Sequence, residues 1–178
     1  MTKISARKNL LLAFCVSIAV LCPLLAQEVK SGAWRSATDA ELKSLIPARA
    51  PVIQERIETE LRTASGITNG KGKFVAGVVL ITAGYSAEGK YSHFFIAQVP
   101  LKIGTMRLNA GEYLIGWKHN EDSLTVNFYE AMSAKFLGSV EAVKNESVTR
   151  VESFRIWPPG DKSVIQIGRF TFSYQLEN

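Results

Sequence analysis

Leu124-Thr125-Val126-Asn127-Phe128-Tyr129 and Phe74-Val75-Ala76-Gly77-Val78-Val79-Leu80-Ile81-Thr82-Ala83 are the stretches on which the fold turns. In the first, Leu124, Val126 and Phe128 alternate with Thr125, Asn127 and Tyr129. One set faces a core and the other faces away, as in a half-buried strand. The second stretch is apolar on both faces, as in a strand covered on each side. Working outward, residues 91–99, 102–108, 112–118, 135–143, 153–157 and 163–176 also read as strands. Ser86-Ala87-Glu88-Gly89, Asn109-Ala110-Gly111, Asn120-Glu121-Asp122 and Pro158-Pro159-Gly160-Asp161 supply turns between strands. In residues 135–143, Phe136, Val140 and Ala142 fall on one face. In residues 163–176, Ile165 and Ile167 are on one phase, and Phe170, Phe172 and Tyr174 on the other. That switch predicts a bulge or bend at Gly168-Arg169. About eight strands, with turns roughly every 8–12 residues, imply a mainly β protein, an antiparallel sandwich or barrel.

Two short helices are expected before the strands, within residues 37–66. Thr38 and Glu41 have capping-box spacing ahead of Leu42, Leu45 and Ile46, and Pro47 stops that helix. Pro51 suits the first turn of a second helix and Gly66 its C-terminal cap. Ile53, Ile57 and Leu61 recur every four residues, flanked by Arg56–Glu60 and Glu58–Arg62 at i,i+4. The stripe is narrow, so the helix lies on a surface and packs on the sheet or docks a partner. Trp34, in a lead-in over residues 27–36, is read as a plug into the core. The resulting division is 1–26 signal peptide, 27–72 lead-in and two-helix segment, and 73–178 β-sandwich domain.

Residues 1–26 have the layout of a secretory signal. Lys3, Arg7 and Lys8 precede an uncharged apolar run from Leu10, and Ala26 is the small residue before the cut. A retained anchor would have to span with only the 17 residues 10–26, interrupted by Pro23. A lipoprotein signal at Cys22 would follow the bulky Leu21. Of 21 basic residues three lie in the signal, which leaves 18 against 16 acidic ones and no dense basic patch. A nucleic-acid partner is therefore not expected. The sequence's two cysteines, Cys15 and Cys22, are both in the signal. The expected mature chain thus enters an oxidising compartment with neither a disulfide nor a thiol nucleophile. Secreted or periplasmic location follows, with no stable membrane span once the signal is cut.

Chemistry-bearing motifs are sparse. His93 lies in a strand and His119 at a turn, without zinc-ligand spacing. Glu121 and Asp122 beside His119 fall far short of a calcium site. No Gly-x-Ser-x-Gly elbow occurs, and Gly70-Lys71-Gly72 does not match a phosphate loop. Asn145-Glu146-Ser147 is a formal glycosylation sequon. Disulfide-free export fits a bacterial protein better than a small eukaryotic secreted module, and in a bacterial protein the sequon would be a chance occurrence. No metal, no cofactor and no catalytic residue is therefore assigned. The one candidate binding patch is Arg155, Trp157 and Arg169. Phe154 and Ile156 should point inward, which leaves Arg155 and Trp157 outward beside Pro158-Pro159. Arg169 lies on the opposite phase to Phe170 and Phe172. An indole beside guanidinium groups can stack on a sugar ring or planar anion.

Leu108-Asn109-Ala110-Gly111-Glu112-Tyr113-Leu114 resembles the Leu-x-x-Gly-x-Tyr hairpin of prealbumin-like and other exported bacterial β-sandwich modules. Over residues 77–176 the pattern is similar to secreted domains of unknown function of a kind common in acidobacteria. It includes Gly84-Tyr85-Ser86, Phe128-Tyr129-Glu130-Ala131, Phe154-Arg155-Ile156 with Pro158-Pro159, and Ile167-Gly168-Arg169-Phe170. The resemblance implies an exported β-sandwich and brings no catalytic residue. The expected function is an exported non-enzymatic module that binds a glycan or an envelope protein. The alternatives are a periplasmic glycan hydrolase using two carboxylates about 5–10 Å apart, and a subunit docking through the helix bearing Ile53, Ile57 and Leu61.

Overall fold

The computed structural model describes residues 33–82 and 90–177. The signal-like segment, Gly84-Tyr85-Ser86 and the turn Ser86-Ala87-Glu88-Gly89 lie outside the described residues. A short β1 (Arg35–Ser36) leads to α1 (Asp39–Leu45), β2 (Arg49–Val52) and a long β3 (Glu55–Thr68). Then come β4 (Phe74–Leu80), β5 (His93–Ala97), β6 (Leu101–Ile103), β7 (Met106–Leu108) and β8 (Gly111–His119). The series ends with β9 (Ser123–Glu130), β10 (Phe136–Lys144), β11 (Glu152–Ile156), β12 (Val164–Gly168) and β13 (Phe170–Leu176).

Every pairing is antiparallel, in the order β1-β3-β4-β5-β8-β9-β10-β13-β12-β11. The β6–β7 hairpin hangs on β13, and β2 lies beside the first half of β3. β11 comes back against β3 and β4, so the sheet is nearly closed into a barrel. At this seam the Ile156 amide donates to Ser65 Oγ at 2.9 Å. Gly77 of β4 leaves the space that the Phe154 ring fills, since a Cβ there would lie 2.5 Å from that ring.

The barrel interior is one core. Phe95, Phe128 and Phe172 stack edge to face across it, with centroids 6.3 and 6.1 Å apart. Tyr113, Ile115, Leu124, Val126 and Phe128 occupy this layer as the alternation predicts, and Trp34 packs against it. A second core lies on the outer face of β4, β5 and β8, beneath α1 and the β2–β3 hairpin. That covering explains why β4 is apolar on both faces: Val75 points inward, Ala76 and Val78 outward, and all three are 0% exposed. The capping box of α1 forms as expected, with Thr38 accepting from the Glu41 amide and Glu41 from the Thr38 amide.

Among the described residues there are thirteen strands and one helix, against the expected eight or so strands and two helices. The second helix is a β-hairpin. A four-residue repeat is even, so Ile53, Ile57 and Leu61 satisfy a strand as well as a helix. What separates the two is position i+2. Thr59 is buried with Ile57, while Glu58 is exposed. Pro51, expected to start a helix, sits in the edge strand β2, where its missing N–H is tolerated. Gly66, expected as a cap, lies within β3 under Leu42. Glu60 pairs with Arg62 two residues on.

Of the remaining extra strands, β1 lies in the lead-in, and the other two come from two hairpins hidden inside expected single strands. Ile103 pairs with Met106 around Gly104-Thr105, and Ile167 pairs with Phe170 around Gly168-Arg169. The first loop residues, Gly104 and Gly168, have φ +60° and +62°. Glycine at the first of two loop positions is the type II′ preference, whose twist matches the strands. The bulge or bend expected at Gly168-Arg169 is therefore a chain reversal. A real bulge occurs in β10 between Phe136 and Gly138. It moves Phe136 onto the outer face, against Tyr129, away from Val140 and Ala142.

Candidate functional site

The inward phase of β8 runs Tyr113, Ile115, Trp117, His119. The first two are buried in the barrel, but the strand continues and carries the last two to its rim, Trp117 being 43% exposed. There they meet the start of β9 at Leu124, the β12–β13 turn at Ile167, Gly168 and Phe170, and residues 151–153 before and in β11. Together these residues enclose an open recess of about 450 Å³. The His119 ring stands edge-on to Phe170 with centroids 5.6 Å apart.

A distortion in β3 opens one wall of this recess. Glu60 pairs with Val79 and Ser65 with Gly77, so residues 61–64 of β3 face Val78 alone. Thr63 holds the excursion: its hydroxyl donates to the Glu60 carbonyl and accepts from the Val79 amide. Leu61 and Ala64 use it to pack on the outer core, and Thr63 lines the recess. Such excursions re-aim side chains at barrel rims.

His93 forms the floor. It is 3% exposed, tilted against Phe154 at 5.0 Å, with Nδ1 2.8 Å from Ser92 Oγ and Nε2 3.4 Å from the Ser153 carbonyl. Burial pushes its imidazole down from 6.5 to about 4, so it is neutral near pH 7. Glu152 stands opposite Gly168 at the start of β11, and an extra residue between it and Arg155 takes it off the inward phase of Phe154 and Ile156. Its carboxylate meets Arg150 Nε at 3.0 Å, and the Arg150 side chain is 83% exposed.

The opposite end of the barrel has a second recess, of about 580 Å³, lined by Arg107, Glu112, Tyr113, Glu130 and Lys135. Its two carboxylates do not form a catalytic pair. Glu130 pairs with the inward Tyr113, while Glu112 is on the outward phase with Leu114. Glu130 is also engaged by the Ser133 hydroxyl. The Tyr113 hydroxyl donates to the Asn109 carbonyl at 2.6 Å, which gives the Leu-x-x-Gly-x-Tyr hairpin a structural role as a turn lock.

Of the sequence-predicted patch, Arg155 and Trp157 are brought together and Arg169 is not. The Arg155 guanidinium lies 5.3 Å from the Trp157 ring centroid, and Lys162 Nζ at 4.6 Å. Trp157 donates to Gln166 Oε1 at 3.1 Å, and its carbonyl accepts from Tyr174 at 2.6 Å. This indole braces the β11–β12 loop, with its N–H committed and cations packed on it. Arg169 sits at the other end of β12, five residues beyond Val164, or about 16 Å along a strand. There its carbonyl accepts from the Asn145 amide.

Among the described residues no three His, Cys, Asp or Glu side chains cluster to hold a metal. No helix among them is long and apolar enough to cross a membrane. Fold and recess together define a small, nearly closed antiparallel barrel with an aromatic mouth. No protein-family model, curated protein or solved structure matches the chain.

Sequence reasoning missed the mouth because its residues come from strand ends scattered from Thr63 to Phe170. One signal was present. An inward phase that stays aromatic past the buried stretch, as Tyr113-x-Ile115-x-Trp117-x-His119 does, marks a rim that is not simply solvated.

Proposed function

We propose that this protein is an exported binding module that takes a small, largely apolar ligand into the barrel mouth beside Trp117. The observation that carries the reading is the 450 Å³ recess whose walls stay apolar and aromatic up to the rim. Trp117, Leu124, Ile167 and Phe170 supply contact area, while His93, Thr63 and Glu152 offer a few polar groups. Ser92 Oγ lies 2.8 Å from His93 Nδ1 at the recess, but burial makes that imidazole a poor base and the hydroxyl also reaches the Ile115 carbonyl at 3.1 Å. No carboxylate pair converges on the recess among the described residues. Binding is therefore favoured over hydrolysis. Docking through an Ile53/Ile57/Leu61 helix falls away with the helix itself. Export rests on the signal-like residues 1–26 and places the module in the periplasm or the medium, with Gln27 as the first mature residue. Glycan binding at Arg155 and Trp157 is the weaker reading, because that indole is already committed within the fold.

The test is a ligand screen followed by intrinsic fluorescence of the purified exported protein. A ligand at the mouth changes Trp117 emission, and Trp117→Ala abolishes the change while Trp157→Phe leaves it. Binding that survives Trp117→Ala unaltered but fails in Trp157→Ala or Arg155→Ala would move the site to the β11–β12 loop.

A further inference from the structure

We infer that the mouth recess is selective for an organic cation: an ammonium group carried on an apolar or aromatic body. The inference rests on the reading of the mouth as a binding recess and adds the charge of its ligand. Three observations point the same way. First, three aromatic rings from two strands, Trp117 and His119 of β8 and Phe170 of β13, stand around one opening. Ring faces attract cations, Trp most strongly. Second, Glu152 is the sole carboxylate among the lining residues and stands at the rim opposite Gly168, which lines the same recess. Third, the lining contains neither Lys nor Arg. A carboxylate ligand would enter without a counter-charge and against Glu152.

The positive charges nearby do not cancel this bias. Arg150 pairs with Glu152 from the solvent side with its side chain 83% exposed, so the pair is weak and an incoming ammonium can replace it. Lys118 is on the outward phase of β8. Arg169 lies near the Lys144–Glu146 ion pair. His93, buried and neutral, adds no charge to the floor. The apolar body would rest on Leu124 and Ile167, with the ammonium between Glu152 and the rings.

Calorimetric titration with three probes of matched shape tests this. They are 2-phenylethylammonium, the neutral 2-phenylethanol and the anion 3-phenylpropionate. The expected result is ammonium binding about tenfold or more tighter than the alcohol, and the carboxylate weakest. Glu152→Gln should remove the ammonium's advantage and leave the alcohol unchanged. Arg150→Ala, which frees the carboxylate from its competitor, should tighten the ammonium and leave the alcohol alone. Trp117→Ala should weaken both. An alcohol or carboxylate bound as tightly as the ammonium overturns the cation inference and leaves the recess reading standing. An ammonium whose affinity is insensitive to both Glu152→Gln and Arg150→Ala does the same. No heat from any probe into the millimolar range overturns both.

Discussion

His93 is the residue at which burial and charge conflict most openly. It sits 3% exposed on the barrel's inward phase, where Phe95 and Ala97 follow it, and desolvation lowers its imidazole to about 4 from 6.5. The folded chain thus holds this ring neutral over a range in which the unfolded chain protonates it. Unfolding takes up a proton between pH 6.5 and about 4, so stability falls as pH drops through that window and levels below it. The full gap is worth about 3 kcal/mol. Denaturant unfolding at pH 7 and pH 4 should show this loss in wild type and a much smaller one in His93→Gln. Glu41, held at about 2 by Arg35 and the Thr38 amide, acts at lower pH, since its contribution is lost only as pH falls below 4.5. An unchanged acid limb in His93→Gln would mean that other groups govern it. A second residue-scale expectation concerns the inner core. Phe128 touches both Phe95 and Phe172 edge to face at 0% exposure. Phe128→Ala should therefore cost about 3–5 kcal/mol, and a loss below about 1 would place the ring outside the core.

At the scale of elements, three two-residue hairpins share one geometry and differ in their fit to it. Gly104 and Gly168 carry φ +60° and +62°, and Ile53 carries φ +58° in the β2–β3 turn. A β-branched residue in this region is an outlier, and left-handed backbone costs an L-residue about 1–2 kcal/mol. Ile53 is 39% exposed, so little packing is at stake. Ile53→Gly should stabilise by about 0.5–1 kcal/mol once the unfolded-state entropy of glycine is counted. Gly168→Ala should destabilise by about 1–2 kcal/mol, and purely through backbone strain, since a Cβ there meets no atom within 4 Å. Thermal melts of the two variants should shift in opposite directions. The same turns show how much of the fold was legible. Strands with a clean period of two, as at Leu124 to Phe128, declared themselves. Ile103-Gly104-Thr105-Met106 and Ile167-Gly168-Arg169-Phe170 did not, because one glycine inside an apolar run reads equally as a bulge or a reversal. Register against β13 and β12 decides it, and register is a property of the whole sheet. Residues 51–66 misled for a related reason, since their spacing of four suits both a helix and a strand. The candidate site was less legible than the fold. Arg155 and Trp157 were rightly placed side by side, but the hidden turn sent Arg169 to the far end of β12.

For the molecule as a whole, the ladder runs from β3 round to β11, and the barrel should be weakest where these two ends meet without a ladder of their own. Across this seam the Ile156 amide relies on the Ser65 hydroxyl, and both groups are buried. Ser65 is 4% exposed, so Ser65→Ala leaves that amide without a partner, a loss of about 1–3 kcal/mol. The recess opens at one end of this seam, between the excursion of β3 at Thr63 and the start of β11 at Glu152 and Ser153. Local opening should start there, because elements with fewer ladder partners open at lower free energy than the interior of a sheet. Hydrogen exchange should therefore find β8 and β9, paired on both sides, the slowest elements, and β11 faster. In Ser65→Ala the β11 amides should accelerate more than those of β8 and β9, which follow global stability. A ligand seated in the mouth touches both sides of the seam, so 2-phenylethylammonium should slow β11 exchange in wild type. In Trp117→Ala it should not. Uniform slowing across the sheet would instead mean that the ligand stabilises the barrel globally and that the seam is not its weak point.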